Sequence, residues 1–172
     1  GAYVPVATAK MFAALESFRK TLAVALYGSG HGDLFTVGTG LGAMTVGTDV
    51  TQAWPIHAIY GVDPGSSIVY KTNINDKDAS AIAAGTVKSV NPAAGTVVIT
   101  PTKAGTPGAG TYVCLKGCTD DEGNPLLPVG LGAWLPTVGK RTGAGWKTYI
   151  EKRFCGVDRS AAPSRLAGAF VD

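Results

Sequence analysis

The first periodic segment of the chain lies between residues 9 and 27. Its apolar residues recur at steps of four, three, four and three positions. In a helix this spacing puts five residues on one face: Met11, Leu15, Phe18, Leu22 and Ala25. This spacing predicts an amphipathic helix over residues 9–27.

Residues around this segment provide signals for the ends of the helix. Thr8 can act as the N-cap, because its hydroxyl can accept a hydrogen bond from the first turn. Gly28 is predicted to end the helix in a left-handed conformation, which glycine adopts without steric cost. Glu16 and Lys20 stand four positions apart, which predicts a weak supporting ion pair.

Patterns typical of β structure follow the helix. The glycine-rich residues 28–47 predict an extended, loosely paired loop or edge strands. Alternating apolar and polar residues predict strands over 53–60 and 67–71, with a turn at 62–65 between them.

The clearest β signal is a hairpin over residues 85–101. Two β-branched runs, 86–90 and 96–100, flank a connection that begins Asn-Pro and ends in Gly. A further strand is predicted over 111–115. Several short strands at near-regular spacing indicate a small antiparallel barrel or sandwich.

Together these patterns predict an α+β fold that is mainly β, in three parts. Residues 1–53 hold the N-terminal amphipathic helix and the glycine-rich extended loop. Residues 54–118 form an antiparallel β-barrel or sandwich-like unit. Residues 119–172 form a long, irregular and basic C-terminal segment.

Composition narrows the class of protein. The 172 residues include 24 Gly and 10 Pro, with 45% hydrophobic and only 16% charged residues. The apolar share excludes a disordered chain, and the excess of turn formers excludes a helical bundle. No apolar run approaches the roughly 18 residues of a membrane span, and no signal peptide is visible. Both ends of the sequence suggest a piece of something larger.

The charges are unevenly distributed. Between residues 21 and 70 there is no Lys or Arg, whereas residues 140–165 carry a net charge of +5 against +3 for the whole chain. The basic residues of that segment are Lys140, Arg141, Lys147, Lys152, Arg153, Arg159 and Arg165. This distribution of charge is what we expect of a protein whose nearly neutral surface is covered by neighbouring subunits. The alternative interpretation is a protein that simply has few charges and a solvated basic tail.

The cysteines do not form a metal-binding pattern. Cys114 and Cys118 are separated by three residues, and only Cys155, His31 and His57, all distant in sequence, could complete a zinc site. We expect no metal and reduced, partly buried thiols; which cysteines pair on oxidation is left open.

No candidate catalytic or cofactor site is strong. Ser29, His31 and Asp33 stand within five residues, but adjacent loop residues do not normally assemble a triad. The glycines of residues 38–42 lack the spacing of a phosphate-binding loop. Residues 120–124 offer acidic side chains without the pattern of a calcium loop, so a solvated turn is expected. The expectation is a protein without catalytic residues, cofactor or metal.

Aromatic residues allow a second class of function. Trp54, Trp134 and Trp146 could stack on sugars or bases, which would make the chain a non-catalytic β-barrel binding module for a glycan or a virion protein. A hydrolase using His31 or His57 is a third and weaker hypothesis.

Four segments, in order, resemble a known family. They are residues 22–30 (LAVALYGSG), the hairpin 85–100 with its AGTV turn, residues 130–136 (GLGAWLP) and residues 154–168 (FCGVDRSAAPSRLAG). This order resembles the central portion of tailed-bacteriophage major capsid proteins of the HK-ninety-seven type. The GVDRS stretch is the most specific of these motifs.

The resemblance implies a structural virion protein that assembles with copies of itself into an icosahedral shell around the genome. The helix and the C-terminal segment would belong to the shell-forming scaffold, and residues 54–118 would be an insertion. Other head proteins are further expected partners, with weak non-specific contact to packaged DNA and none to a membrane. The expected location is the virion, after synthesis in the bacterial cytoplasm.

The sequence also departs from the family pattern. The basic segment 140–152 is extended, and Cys114 and Cys118 belong to no family motif. The amino-terminal arm and the carboxy-terminal α/β half of such capsid proteins are not within these 172 residues. The Lys and Asn that crosslink subunits in part of this family are not assigned here.

Overall fold

The computed structural model describes residues 6–128, 130, 153–154 and 157–158. Within them the fold is α+β and mainly β, with one long helix and a curled, antiparallel six-stranded sheet that forms a half-barrel. In chain order the elements are α1 (Val6–Tyr27), β1 (Asp33–Thr36), β2 (Val50–Ala53), α2 (Ile56–Ile59), β3 (Ser67–Lys71), a 3-10 turn (Asp78–Ser80), β4 (Ala83–Asn91), β5 (Thr96–Lys103), β6 (Tyr112–Leu115), β7 (Arg153–Phe154) and β8 (Val157–Asp158).

The six strands follow the order β1-β6-β3-β4-β5-β2, and all neighbours are antiparallel. β7 and β8 form a separate two-stranded hairpin. The edge strands β1 and β2 precede residue 54 in the sequence and yet belong to this sheet. The division of the chain at residues 53 and 118 stays a prediction.

The β4–β5 hairpin confirms the strongest β signal in the sequence. Asn91 accepts a hydrogen bond from the backbone N–H of Ala94 at 3.1 Å through its side chain. Gly95 closes the turn with a φ of 65°, a value that glycine adopts at little cost. The predicted strands at 67–71 and 111–115 correspond to β3 and β6.

The strand predicted over 53–60 is wrong beyond Ala53. The chain turns there into the short helix α2, whose N-cap is Pro55 with a φ of −59°. The backbone N–H groups of Ala58 and Ile59 both donate to the Pro55 carbonyl, at 3.0 and 3.2 Å. A short apolar run does not distinguish strand from helix, and the preset φ of proline favours the helical turn.

The main core lies on one face of the sheet. Ile68 and Tyr70 on β3 contribute to it together with Val113 on β6 and Trp54 after β2. Gln52 lies among them and accepts hydrogen bonds from the Tyr70 hydroxyl at 2.6 Å and from Trp54 Nε1 at 3.1 Å. Because strand side chains alternate, the residues between these face the other side, where a smaller cluster contains Val69, Ala81, Ala84 and Cys114.

The helix prediction is confirmed in type and end but not in its capping. α1 ends at Tyr27, as predicted, but Gly28 does not have a positive φ; the first left-handed glycine is Gly30, with a φ of 91°. Thr8 lies inside α1, so its prediction as N-cap is wrong. Glu16 pairs with Arg19 at 3.5 Å rather than with Lys20, which contacts Asp63.

Candidate functional site

The apolar face of α1 lies in solvent rather than in the core. Met11, Leu15, Phe18 and Leu22 are 59, 54, 66 and 42% exposed, and we call these four residues the α1 stripe. Phe12 and Leu26 extend the exposed apolar surface beside it. Of the five residues predicted to share one face, only Ala25 is buried. A contiguous apolar surface of this kind is typical of an interaction site.

The exposure follows from how α1 joins the sheet. Val24 packs against the main core and Ala25 is buried, so the helix is held through its last turns. A Cβ at Gly61 would lie 3.2 Å from Val24 Cγ2, so the end of α1 closely approaches the six-stranded sheet and its connections, which we call the body. The turns before Lys20 contribute almost nothing to this contact, because residues 9–19 are all exposed.

A cleft of about 600 Å³ lies between α1, β1 and α2. Val24, Leu34 and Ala58 contribute its apolar lining, and Tyr27 and Tyr60 expose large parts of their side chains beside it. Its charged residues already have partners: Arg19 pairs with Glu16 and Lys20 with Asp63. The Asp33 carboxylate accepts hydrogen bonds from Ser29. This cleft is suited to an uncharged ligand with polar edges rather than to an anion.

Ser29, His31 and Asp33 do come together, contrary to our expectation for adjacent loop residues. Ser29 Oγ lies 3.0 Å from His31 Nδ1 and 2.8 Å from Asp33 Oδ1, and the Ser29 backbone N–H donates to the same carboxylate oxygen at 2.8 Å. Asp33 thereby closes the turn that follows α1.

The order of these contacts differs from that of a catalytic triad. The single Ser29 hydroxyl proton is donated to the Asp33 carboxylate, so His31 Nδ1 must donate to the serine oxygen and cannot act as its base. His31 is only 3% exposed, and its Nε2 makes no hydrogen bond. Burial lowers the pKa of His31, although the nearby Asp33 acts in the opposite direction. The arrangement therefore stabilises the turn that follows α1.

Sequence reasoning missed a second buried polar cluster. Lys71 Nζ lies 2.8 Å from Asp78 Oδ1 and 2.9 Å from Thr119 Oγ1, which itself donates to Asp78 at 2.9 Å. The Gly117 backbone N–H completes the cluster by donating to Asp78 Oδ2 at 2.6 Å. Partial burial acts to raise the pKa of Asp78, but the hydrogen bonds from Lys71, Gly117 and Thr119 outweigh it and lower the pKa. No local motif marks this cluster, because Gly117 and Thr119 lie at least 39 residues beyond Lys71 and Asp78 in the chain.

The cysteines and histidines do not form a metal site in the part of the chain that is described. Cys114 and Cys118 are both free and buried, and burial raises the pKa of the Cys114 thiol to about 12. No three His, Cys, Asp or Glu side chains among the described residues lie close enough to hold a metal ion. His57 is exposed on α2. Cys155 lies outside the described residues.

The acidic segment at 120–124 is a hydrogen-bonded turn. Asp120 Oδ1 accepts from the backbone N–H groups of Glu122 and Asn124, at 3.0 and 2.7 Å, and Asp120 Oδ2 accepts from Asn124 Nδ2 at 2.8 Å. The sequence predicts a turn here, and the structure adds that both carboxylate oxygens of Asp120 accept hydrogen bonds within it.

Of the three tryptophans proposed to bind a sugar or base, the structure describes only Trp54. Trp54 is buried in the main core, and its ring lies 5.1 Å from that of Phe35, so it offers no face to a sugar or base. Trp134 and Trp146 lie outside the described residues. The basic segment 140–165 also lies outside them, apart from the backbone of β7 and β8.

Comparisons of the chain with protein-family models, curated proteins and solved structures found no match. Among the described residues, no helix has the length and apolar character needed to cross a bilayer.

Proposed function

We propose that this chain is a structural protein that assembles with copies of itself, as part of a tailed-bacteriophage major capsid protein. The α1 stripe carries this proposal. Four large apolar side chains in a row, about half exposed, are unfavourable in water and become favourable when another surface covers them.

The sequence supports the same function independently. The helix end, the hairpin, the GLGAWLP stretch and the GVDRS stretch follow one another as they do in capsid proteins of this type. The low content of charged residues, 16%, also suits a chain that is covered by neighbouring subunits. The virion is the corresponding location, with packaged DNA and other head proteins as further partners.

The buried polar clusters are compatible with a structural role. Ser29, His31 and Asp33 use their hydrogen-bonding capacity on one another and on the backbone. Lys71 and Asp78 likewise tie distant segments together inside the body. In both clusters the observed contacts fix the fold rather than present a reactive group to a substrate.

Assembly can be tested on the protein expressed from its natural open reading frame. Sedimentation velocity and negative-stain electron microscopy should show shells, sheets or their multi-subunit fragments, growing with protein concentration. A species no larger than a small oligomer at every concentration would contradict the proposal. The variant Leu15→Lys/Phe18→Lys should reduce assembly, whereas Ala13→Lys/Ser17→Lys, on another face of the same helix, should not.

A non-catalytic binding module is the second candidate, and the cleft beside α1 favours it. Tyr27 and Tyr60 are 72 and 63% exposed at a cleft with an apolar lining, an arrangement that can stack on a sugar ring. A glycan array would test this function. Binding that is lost in Tyr60→Ala but retained in Tyr112→Ala, which truncates a partly buried tyrosine of β6 outside the cleft, would favour this function over the shell.

A further inference from the structure

The α1 stripe has an internal symmetry. Its positions 11, 15, 18 and 22 are separated by four, three and four residues, so the spacing is the same in both chain directions. The midpoint of these positions lies between residues 16 and 17, which is also the midpoint of α1 itself. The 4-3-4 spacing is that of a helix pair that packs side by side.

We propose that two copies of this chain pair through α1, antiparallel and about a twofold axis at the helix midpoint. In that arrangement Met11 faces Leu22 of the partner subunit, and Leu15 faces Phe18 of the partner subunit. The same four side chains then form the contact on both sides, as a twofold interface requires. The proposal is independent of the shell function, because it would also hold for a binding module.

The residues that flank the stripe fit this pairing. On one side lie Phe12 and Arg19, and the antiparallel register brings Arg19 beside Phe12 of the partner subunit, a favourable cation–aromatic contact. The other flank contains Ala14 and Thr21, which are uncharged. No like charges are therefore opposed across the contact.

The position of the body also permits an antiparallel pair. Val24, which packs against the main core near the C-terminal end of α1, lies on the side of the helix away from the stripe. Ala25 continues the stripe face and is buried, whereas the stripe itself, up to Leu22, is exposed. α1 has 22 residues and is therefore about 33 Å long. In an antiparallel pair the two bodies lie at opposite ends of this length, whereas a parallel pair would bring them side by side.

The area available is sufficient for a stable contact. Six exposed large apolar side chains would be covered in each copy, namely Met11, Phe12, Leu15, Phe18, Leu22 and Leu26. Complete coverage of their exposed fractions would remove on the order of 600 Å² per copy and about 1,200 Å² in total, at the lower end of specific interfaces. This size suits a reversible dimer.

Disulfide trapping tests the register. In a Cys155→Ser background, Leu15→Cys and Phe18→Cys are made as separate proteins and oxidised alone or mixed. The antiparallel pair predicts crosslinked dimers mainly in the mixture, where position 15 meets position 18. Crosslinking of each variant with itself, and not in the mixture, would indicate a parallel pair and overturn the proposal.

Sedimentation equilibrium tests the pairing itself. The chain of residues 1–172, as distinct from the product of the natural open reading frame used in the assembly test, should form a dimer of twice its 17.5 kDa mass. The dissociation constant should rise at least about tenfold in Leu15→Lys/Phe18→Lys and remain unchanged in Ala13→Lys/Ser17→Lys. Circular dichroism verifies that both variants keep the β-sheet; the two substituted stripe residues, Leu15 and Phe18, are more than half exposed.

Other occupants of the stripe give different results. If another segment of the same chain covers the stripe, the protein is monomeric. The variant Leu15→Lys/Phe18→Lys, which we call the stripe variant, then lowers the free energy of unfolding and leaves the sedimenting mass unchanged. If a lipid surface covers it, the monomer cosediments with phosphatidylcholine vesicles and the stripe variant abolishes this. Either result overturns the proposal, as does a dimer that the stripe variant leaves intact.

Discussion

Lys71 Nζ lies 2.8 Å from Asp78 Oδ1, and none of the lysine side chain is exposed to solvent. The pair joins the end of β3 to the 3-10 turn, and through Thr119 it also holds the segment that follows β6. A buried ion pair of this kind contributes little relative to an apolar pair, but it makes the loss of one partner costly.

Replacement of Asp78 by Ala should therefore destabilise the protein strongly. The Lys71 ammonium would stay buried with only Thr119 as a partner, and we expect the free energy of unfolding to fall by about 3–5 kcal/mol. Lys71→Met should cost less, because Asp78 keeps its bonds to Gly117 and Thr119. Urea denaturation measures both.

The exposed pair Lys88–Asp49 provides the matched control. Asp49→Ala removes a carboxylate from an ion pair on the surface, where solvent replaces the interaction, so its effect on unfolding should be much smaller. Equal effects of Asp78→Ala and Asp49→Ala would show that the buried pair has no special role in stability.

Local patterns in the sequence predict the helices and strands of this fold better than they predict what packs against each of them. The β4–β5 hairpin is predicted correctly because its strands and its Asn-Pro to Gly connection are contiguous in sequence. The 3.6-residue period likewise predicts α1, but it does not say what covers the apolar face, and the stripe lies in solvent.

The contacts within the two buried polar clusters could not be predicted from the sequence. Ser29, His31 and Asp33 are close in sequence, and the residues were identified, but their contacts depend on the turn geometry after α1. Lys71, Asp78 and Thr119 meet only because β3 and β6 are neighbours in the sheet. No periodicity or spacing along the chain carries that information.

Protonation of His31 should make stability depend on pH. Burial lowers the pKa of His31 in the folded protein below its ordinary value of 6.5, so the unfolded chain binds the proton more tightly. Stability is therefore complete above about pH 6.5 and falls as the pH decreases toward the folded-state pKa, by up to about 1.4 kcal/mol per pH unit.

Urea denaturation between about pH 7.5 and pH 5.5 measures this dependence. His31→Asn should flatten the profile over this range. His57→Asn should retain it, because His57 is exposed. A profile that flattens in the His57 variant and not in the His31 variant would refute this assignment.

Gly105 should not tolerate a side chain. A Cβ at this position would lie 2.0 Å from the Ile82 carbonyl oxygen and 3.0 Å from Ala83 Cβ, so the backbone would have to move. The movement would disturb the bridge in which Met44 and Gly105 exchange hydrogen bonds of 2.8 and 3.1 Å. We expect Gly105→Ala to lower the free energy of unfolding by about 1–3 kcal/mol and the Tm by several degrees.

Gly108 is the matched control for this substitution. It follows Gly105 by three residues, its φ is not in the left-handed region, and a Cβ there would meet no atom within 4 Å. Gly108→Ala should leave the thermal unfolding curve nearly unchanged. A similar loss in both variants would mean that the close approach at Ile82 does not limit stability.

The buried thiols should be protected from alkylation in the folded protein. Burial raises the pKa of Cys114 to about 12 and also raises the pKa of Cys118, so neither supplies much thiolate near neutral pH. In a Cys155→Ser background, iodoacetamide should label neither cysteine in buffer and both in urea, as mass spectrometry would show. Ser89→Cys, at an exposed position of β4, should be labelled in buffer in the same background and verifies the reagent. Labelling of Cys114 at a rate comparable to that of the Ser89→Cys thiol would mean that β6 opens readily from the sheet.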